Sequence, residues 1–404
     1  MSAIATQGAS PPPDFSANGR LAPHPGDAAR VETFIPHATV QSHAANLTYL
    51  PNGDIACVWF GGTQEGVPDI SVQFSRLAKG SDTWTQPEQL SDDPTRSEQN
   101  PLLFPAPDGT LWLIWTAQIS GNQDTAIVRC RKSGDNGHSW GPTETLFGPR
   151  EDGGTFMRQP MVVLENGDWL LPIWVCLTTP GKKWVGDKDY SAVKISSDQG
   201  KTWTEVAVPE SEGCVHMSVL DMKNGSLVAF YRSRWADNVY VSRSTDLGRT
   251  WTAPERTELP NNNSSVQAVR LANGHIGMVY NESSAADAKE RRTSLYDDIE
   301  GDEGDDRAEP VPVEGVRSTF WGVPRAPMTL AISTDGGRTW PYRRNLETGD
   351  GYCMTNNSRD KVNREFSYPT IMQSPDGALH IAYTYYRQAI KYVRVAESWT
   401  GAPA

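Results

Sequence analysis

SGDNGHSW at 133–140, SSDQGKTW at 196–203, STDLGRTW at 244–251 and STDGGRTW at 333–340 are four copies of one pattern, S-x-D-x-G-x-x-W. A shorter relative, SDTW, ends at Trp84. The chemistry is that of a tight turn. The Asp carboxylate accepts from turn N–H groups, Gly supplies a positive φ, and the Trp packs beneath. Each copy follows a β-rich run, such as TAIVRCRK or VYVSR.

A second repeat interleaves with the first. LPNGDIACVWF, APDGTLWLIW, LENGDWLLPIW, MKNGSLVAFY, LANGHIGMVY and SPDGALHIAY each set a glycine before an apolar run, at Gly53, Gly109, Gly167, Gly225, Gly274 and Gly377. Asn-Gly or Asp-Gly between apolar runs is the strongest short hairpin signal. Successive glycines are 56, 58, 58, 49 and 103 residues apart, and the long last interval holds an irregular insertion. Each unit reads as strand, hairpin, strand, then a strand ending in the Asp turn. Four-stranded units repeating every ~40–50 residues are propeller blades. The sequence therefore predicts an all-β propeller of six counted blades, with room for a seventh in the termini or in 281–330. A β-sandwich with accidental turns does not account for four copies at this spacing.

Residues 1–30 are Pro, Ala and Gly rich and read as a loose arm, leaving 31–404 as one propeller with an acidic insertion at 281–325. Within that insertion, DDIEGDEGDDRAE (297–309) reads as a solvated loop, because its spacing does not match a calcium loop. The net charge of −12 argues against a nucleic-acid partner, which needs clustered Lys and Arg. No apolar run reaches the ~20 residues of a membrane helix. The first 20 residues lack a basic start and an apolar centre, so no secretory signal is visible; the default location is cytoplasmic, with another export route open. Five cysteines without a CxxC pair suggest neither a disulfide framework nor a cysteine zinc site.

The hairpin glycines give a register for the innermost strands, whose ends surround a propeller's channel. Nine and ten residues upstream lie His43/Ala44, Gln99/Asn100, Met157/Arg158, Val215/His216, Ser264/Ser265 and Ser367/Tyr368. His43, Asn100, Arg158, His216, Ser265 and Tyr368 thus form a convergent polar ring, the candidate active site. Arg232 and Arg234 in YRSRWADN follow an apolar strand toward the same end, unless one of them pairs with Asp237. Asn263 in NNNSS and Arg364 opening REFSYPTI enter inner strands from polar loops and suit sugar hydroxyls or a carboxylate. Trp184 and Trp235 are candidates to stack on a sugar, although packing is the default role for any one of 14 Trp. No acid pair occupies the register; Glu98 and Glu365 lie only beside it.

The four Asp turns resemble the Asp boxes of the sialidase-like propeller superfamily over roughly residues 40–396. That resemblance speaks to fold more than function. A sialidase requires an arginine triad, a Tyr nucleophile paired with Glu, and an Asp acid. Here the stretch matching the first triad arginine is TFIPH, with Phe34 at the arginine position, and no Asp stands in the ring. SHAANLTYLPNGDIACVWFGGTQEG, SEQNPLLF, TFMRQPMVV, GCVHMSVL, RSRWADNVY, ELPNNNSS and REFSYPTI are also similar to propeller enzymes acting on rhamnosyl-α-1,4-glucuronate caps of arabinogalactan and gum arabic. Some of those are lyases and some α-L-rhamnosidases. The resemblance implies seven blades and a catalytic His on the first inner strand, a position matched by His43. Arg, His and Tyr in the ring themselves suit β-elimination, with Arg158 neutralising the uronate carboxylate, His43 as the base and acid that removes the C5 proton, and His216 and Tyr368 supporting proton transfer or orientation. Exo-hydrolysis of the rhamnosidase or sialidase type is the enzymatic rival, and a glycan- or protein-binding propeller the non-enzymatic one. The expected partner is an oligosaccharide or polysaccharide. No cofactor is required, and a divalent cation in the channel stays open.

Overall fold

The computed structural model describes residues 16–292, 294–295, 307–308 and 317–403. Six antiparallel sheets follow one another along the chain, and among the described residues no seventh occurs. The inner strands are Gln41–Tyr49, Ser97–Pro105, Gly153–Phe156 with Val162–Val163, Cys214–Asp221, Gln267–Arg270 and Phe366–Gln373. Each hairpin glycine predicted from sequence joins an inner strand to the next one out, with φ between +79° and +90°.

The sixth sheet is closed by the N-terminus. Asp27–Phe34 pairs with Ala389–Val395, and Ala22–His24 pairs beyond it. The loose arm expected over 1–30 is corrected here: residues 22–24 and 27–30 are strand. The reason is edge satisfaction, since without them the last blade would present an unpaired edge. Buried Arg30 fastens the junction, donating to the Leu346 carbonyl at 2.5 Å and to Glu347 at 2.9 Å. Lys391 and Tyr383 reach the same Glu347 oxygen, at 2.6 and 2.7 Å. The acidic run expected at 297–309 lies outside the described residues, except for Arg307 and Ala308.

The core is not one mass but six layers between neighbouring blades. Leu102, Ile114, Ile173 and Trp169, for example, fill the space between the second and third blades, and Phe230, Met278 and Trp340 that between the fourth and fifth. Blades are wedge-shaped and twisted, so each buries its faces against two neighbours. The Asp turns sit at the outer edge. In the copy at 244–251, Asp246 Oδ1 accepts from Thr250 N at 2.8 Å, its Oδ2 accepts from Thr250 Oγ1 at 2.7 Å, and Ser244 Oγ accepts from Gly248 N. The other three turns repeat this pattern.

Side-chain amides join the third, fifth and sixth blades. Gln267 accepts from Thr370 Oγ1 and Ile371 N, both at 2.7 Å, and donates to Gln159, which in turn donates to the Val266 carbonyl.

Candidate active site

Four inner strands carry a β-bulge where the sequence register places the ring, between His43/Asn46, Gln99/Leu102, Val215/Ser218 and Ser367/Thr370. The residue nine before each hairpin glycine takes a left-handed conformation: Ala44 (φ +60°), Asn100 (+50°), His216 (+54°) and Tyr368 (+49°). Such backbone is costly for non-glycine residues and clusters at functional sites. His43 lies one position earlier, so its counterpart on the fourth blade is Val215, not His216. His43 and His216 nevertheless flank one residue, Tyr368, with ring centroids 4.4 and 5.5 Å from it.

Tyr368 is the centre of the constellation. The guanidinium carbons of Arg158, Arg232 and Arg325 lie 5.7, 5.6 and 5.6 Å from its ring centroid. Arg232 Nη1 donates to the Tyr368 hydroxyl at 2.7 Å and faces His216 Nε2 at 3.1 Å, while its Nε donates to Asn263 Oδ1 at 2.8 Å. An arginine cannot accept, so His216 Nε2 must be the acceptor and the imidazole proton sits on Nδ1, directed at Ser265 Oγ 3.0 Å away. Trp174 stacks on the same imidazole at 4.3 Å. His216 is thereby an orienting group. Of the two supporting roles the sequence offered it, proton transfer or orientation, the geometry favours orientation, because its lone pair is taken by Arg232.

His43 differs. It is fully buried, and among the described residues neither ring nitrogen has a hydrogen-bond partner. Burial, then the positive charges of Arg387, Arg325, Arg158 and Arg232, push it well below the ordinary histidine value. It is a neutral imidazole with a free lone pair and a free N–H, stacked edge-on to Phe60.

The guanidinium groups divide into paired and unpaired. Arg387 donates to Glu65 at 2.6 Å and to Glu365 at 3.1 Å, and Arg325 donates to Glu365 at 3.2 Å. Burial alone would raise Glu365, but Arg325 and Arg387 outweigh it and hold the carboxyl below the usual range. Arg234 pairs with Asp189 at 2.7 Å, rather than with Asp237, and lies between Trp184 and Trp321. Arg232 pairs with no carboxylate among the described residues, and its Nη2 has no partner. Burial lowers its pKa to about 10, which leaves it charged at neutral pH.

Arg158, the carboxylate clamp that the sequence suggested, is committed to the protein through one nitrogen only, its Nε and Nη1 having no partner among the described residues. Its Nη2 donates to the carbonyls of Ala45, Tyr368 and Pro369 at 2.7, 3.1 and 3.3 Å, tying three blades together from within the channel wall. Arg364 is excluded. It pairs with Asp350 at 2.6 Å and packs on Tyr352 at the surface. Asn100 is buried at its bulge, and among the described residues its Oδ1 has no hydrogen-bond partner. Phe34 lies in the closing strand, edge-on to Tyr385, away from the channel. Trp184 is a packing residue, and Trp235 covers Gly213 and receives Arg317.

Sequence reasoning missed Glu65, Arg325, Arg387 and Trp321. All four lie on loops between strands that carry no repeat register. A signal existed for two of them: Glu65 follows the GGT end of a strand pointing at the site, and Arg387 sits in the turn YYRQ between two apolar runs. Among the described residues no group of three or more His, Cys, Asp or Glu side chains is placed to hold a metal ion.

The model of the BNR repeat-like domain matches residues 53–381, most of the chain. The chain belongs to this family. No curated protein matches it in sequence. Solved structures similar to this BNR propeller include a Hadza microbial sialidase, 14% identical with a TM-score of 0.67, over 91% of this chain and 69% of that one. A protein of unknown function from Dyadobacter fermentans is 19% identical, TM-score 0.65, over 90% and 97%. The intramolecular trans-sialidase from Ruminococcus gnavus, in complex with oseltamivir carboxylate, is 12% identical, TM-score 0.62, over 90% and 96%. At these identities the likeness is one of fold, the sialidase-like propeller.

Proposed function

We propose that this BNR propeller is a carbohydrate-active enzyme whose substrate carries a glucuronate capped by a terminal rhamnose, and that it removes that rhamnose from the glucuronate by β-elimination. The observation that carries the reading is His43: a neutral imidazole with both nitrogens free, against Tyr368, in a site holding Arg232, a cation with no carboxylate partner among the described residues. Arg232 neutralises the uronate carboxylate and so acidifies the C5 proton. His43 takes that proton. The C4–O4 bond breaks, a C4–C5 double bond forms, and O4 leaves on the rhamnose with a proton from the Tyr368 hydroxyl. A hydroxyl that accepts from Arg232 still has its own proton to donate. Proton transfer then returns His43 and Tyr368 to their starting forms. Glu365 is held ionised, which disfavours it as the acid of a hydrolytic pair.

A second reading, exo-hydrolysis through Tyr368 as nucleophile, is favoured by the three guanidiniums around the Tyr368 ring. The sequence had suggested that no arginine triad exists, because Phe34 replaces its first member; the cations here come from other strands and loops. The sialidases among the similar structures add weight to this reading. Product analysis separates the two. A rhamnosyl-glucuronate cap should yield rhamnose and an unsaturated uronate, seen by the ultraviolet absorbance of the conjugated double bond. Rhamnose with saturated glucuronate would move the mechanism to hydrolysis, and free sialic acid from a sialyl-lactose would overturn the substrate.

A further inference from the structure

The sequence contains six N-x-S/T sequons, at Asn46, Asn224, Asn262, Asn263, Asn281 and Asn356. N-linked glycosylation transfers an oligosaccharide from a lipid diphosphate to the Asn Nδ2. A C1–Nδ2 bond replaces one N–H, the sugar–phosphate bond breaks, and the lipid diphosphate leaves. The transfer acts largely on chains that have not yet folded, so burial in the native state does not prevent it.

Five of the six asparagines are 0–2% exposed. In each, the Nδ2 that would be modified is a donor in a buried or partly buried bond. Asn46 Nδ2 donates to the Arg158 carbonyl at 3.4 Å, on the channel wall. Asn262 and Asn263 donate to the carbonyls of Pro324 and Phe320, both at 2.9 Å, holding the loop that carries Trp321. Asn281 donates to the carbonyls of Phe366 at 2.8 Å and Pro327 at 3.2 Å, joining the fifth and sixth blades. Asn356 donates to Glu65 at 3.2 Å. A glycan at any of them has no room, and a branched polar group cannot be buried without severe cost. Asn224 alone is exposed, at the tip of the hairpin between Cys214–Asp221 and Leu227–Ser233, with its side-chain oxygen bonded to Ser226.

We infer that this fold forms only where the chain escapes N-linked glycosylation, and that Asn224 is the one sequon whose native environment has space for a glycan. The cysteines point the same way: all five are buried and free, so an oxidising compartment would stabilise nothing here.

The test produces the full chain in a eukaryotic host twice, once in the cytosol and once behind a secretion leader, with the leader form also made in cells whose N-glycosylation is blocked. The cytosolic chain should fold and melt cooperatively. The leader form should be lost as folded protein, carry glycans at buried sequons by mass spectrometry, and regain folding when glycosylation is blocked. Asn224→Gln should not restore it. A leader form that is secreted folded from normal cells overturns the inference, whether or not its buried sequons are occupied. So does a loss that blocking fails to reverse, or one that Asn224→Gln alone reverses.

Discussion

Arg232 Nη1 donates to the Tyr368 hydroxyl at 2.7 Å, joining the fourth blade to the sixth across the channel. The bond fixes where a positive charge stands relative to the one phenol of the site, and the unpartnered Nη2 beside it is the free hand of that charge. Arg232→Lys keeps the charge but loses the planar two-pronged geometry. The expected result is a fall in kcat/KM on the order of 10²-fold, as for loss of one placed donor, with an unchanged melting temperature. Steady-state kinetics on a rhamnosyl-glucuronate-capped glycan beside a thermal melt read both.

His43→Ala should remove activity by ~10²–10⁴-fold, the contribution of one positioned proton-transfer group, while leaving the propeller folded. The pH profile gives a second check. The folded pKa of His43 is well below the ordinary value, so the neutral base persists as pH falls through the usual histidine range. kcat/KM should therefore show no acid limb near pH ~6.5. A limb at that pH would assign the base to another group.

Stability has its own pH signature, carried by His380 away from the channel. Burial lowers its pKa from 6.5 to about 4, and it bonds Tyr392 at 2.6 Å and Ser374 at 2.7 Å. The unfolded chain binds a proton near pH 6.5 and the folded one only near 4, so the stabilisation is full above pH 6.5 and is lost as pH falls toward 4. At ~1.4 kcal/mol per unit this is a loss of about 3 kcal/mol from this residue. Urea unfolding across that window should show the slope, and His380→Gln should flatten it.

Asp246→Ala should lower stability by about 1–2 kcal/mol with no change in KM, since the carboxylate serves only its own turn at the blade edge. A large loss of substrate affinity at constant melting temperature would instead make the Asp turns binding elements.

What the sequence disclosed follows from what repeats. Hairpin glycines and Asp turns recur in every blade or nearly so, and counting from a hairpin locates the bulge on four inner strands to the residue. That is why Ala44, Asn100, His216 and Tyr368 share one backbone state. The count fails on the third blade, where the inner strand is broken between Phe156 and Val162, and on the fifth, whose inner strand begins only at Gln267, beyond Ser265. It also says nothing of side chains delivered by loops. Glu65, Arg325 and Arg387 reach the site from connections of unlike length, and only the three-dimensional closure of the ring brings them beside Tyr368. The N-terminal strand was illegible for a related reason: Asp27–Phe34 is a strand because Ala389–Val395, more than 350 residues away, needs a partner.

Arg158 and Arg232 provide the sharpest contrast. Both are buried guanidiniums near the Tyr368 ring, and burial lowers both to a pKa of about 10. Arg158 spends its Nη2 on three backbone carbonyls from the first and sixth blades, while its Nε and Nη1 have no partner among the described residues. Arg232 holds only neutral side chains. Arg158→Met should accordingly cost stability, about 2–3 kcal/mol for carbonyls left without a donor in a dry wall, and should leave KM near its normal value in the protein that remains folded. Arg232→Met should do the reverse, raising KM and lowering kcat with a melting temperature little changed, because removing an unpaired buried cation also removes its desolvation cost. Chemical denaturation and steady-state kinetics of the two variants in parallel test this. If Arg158→Met lost substrate affinity while keeping its stability, the clamp would belong to Arg158 and the assignment of Arg232 would fail.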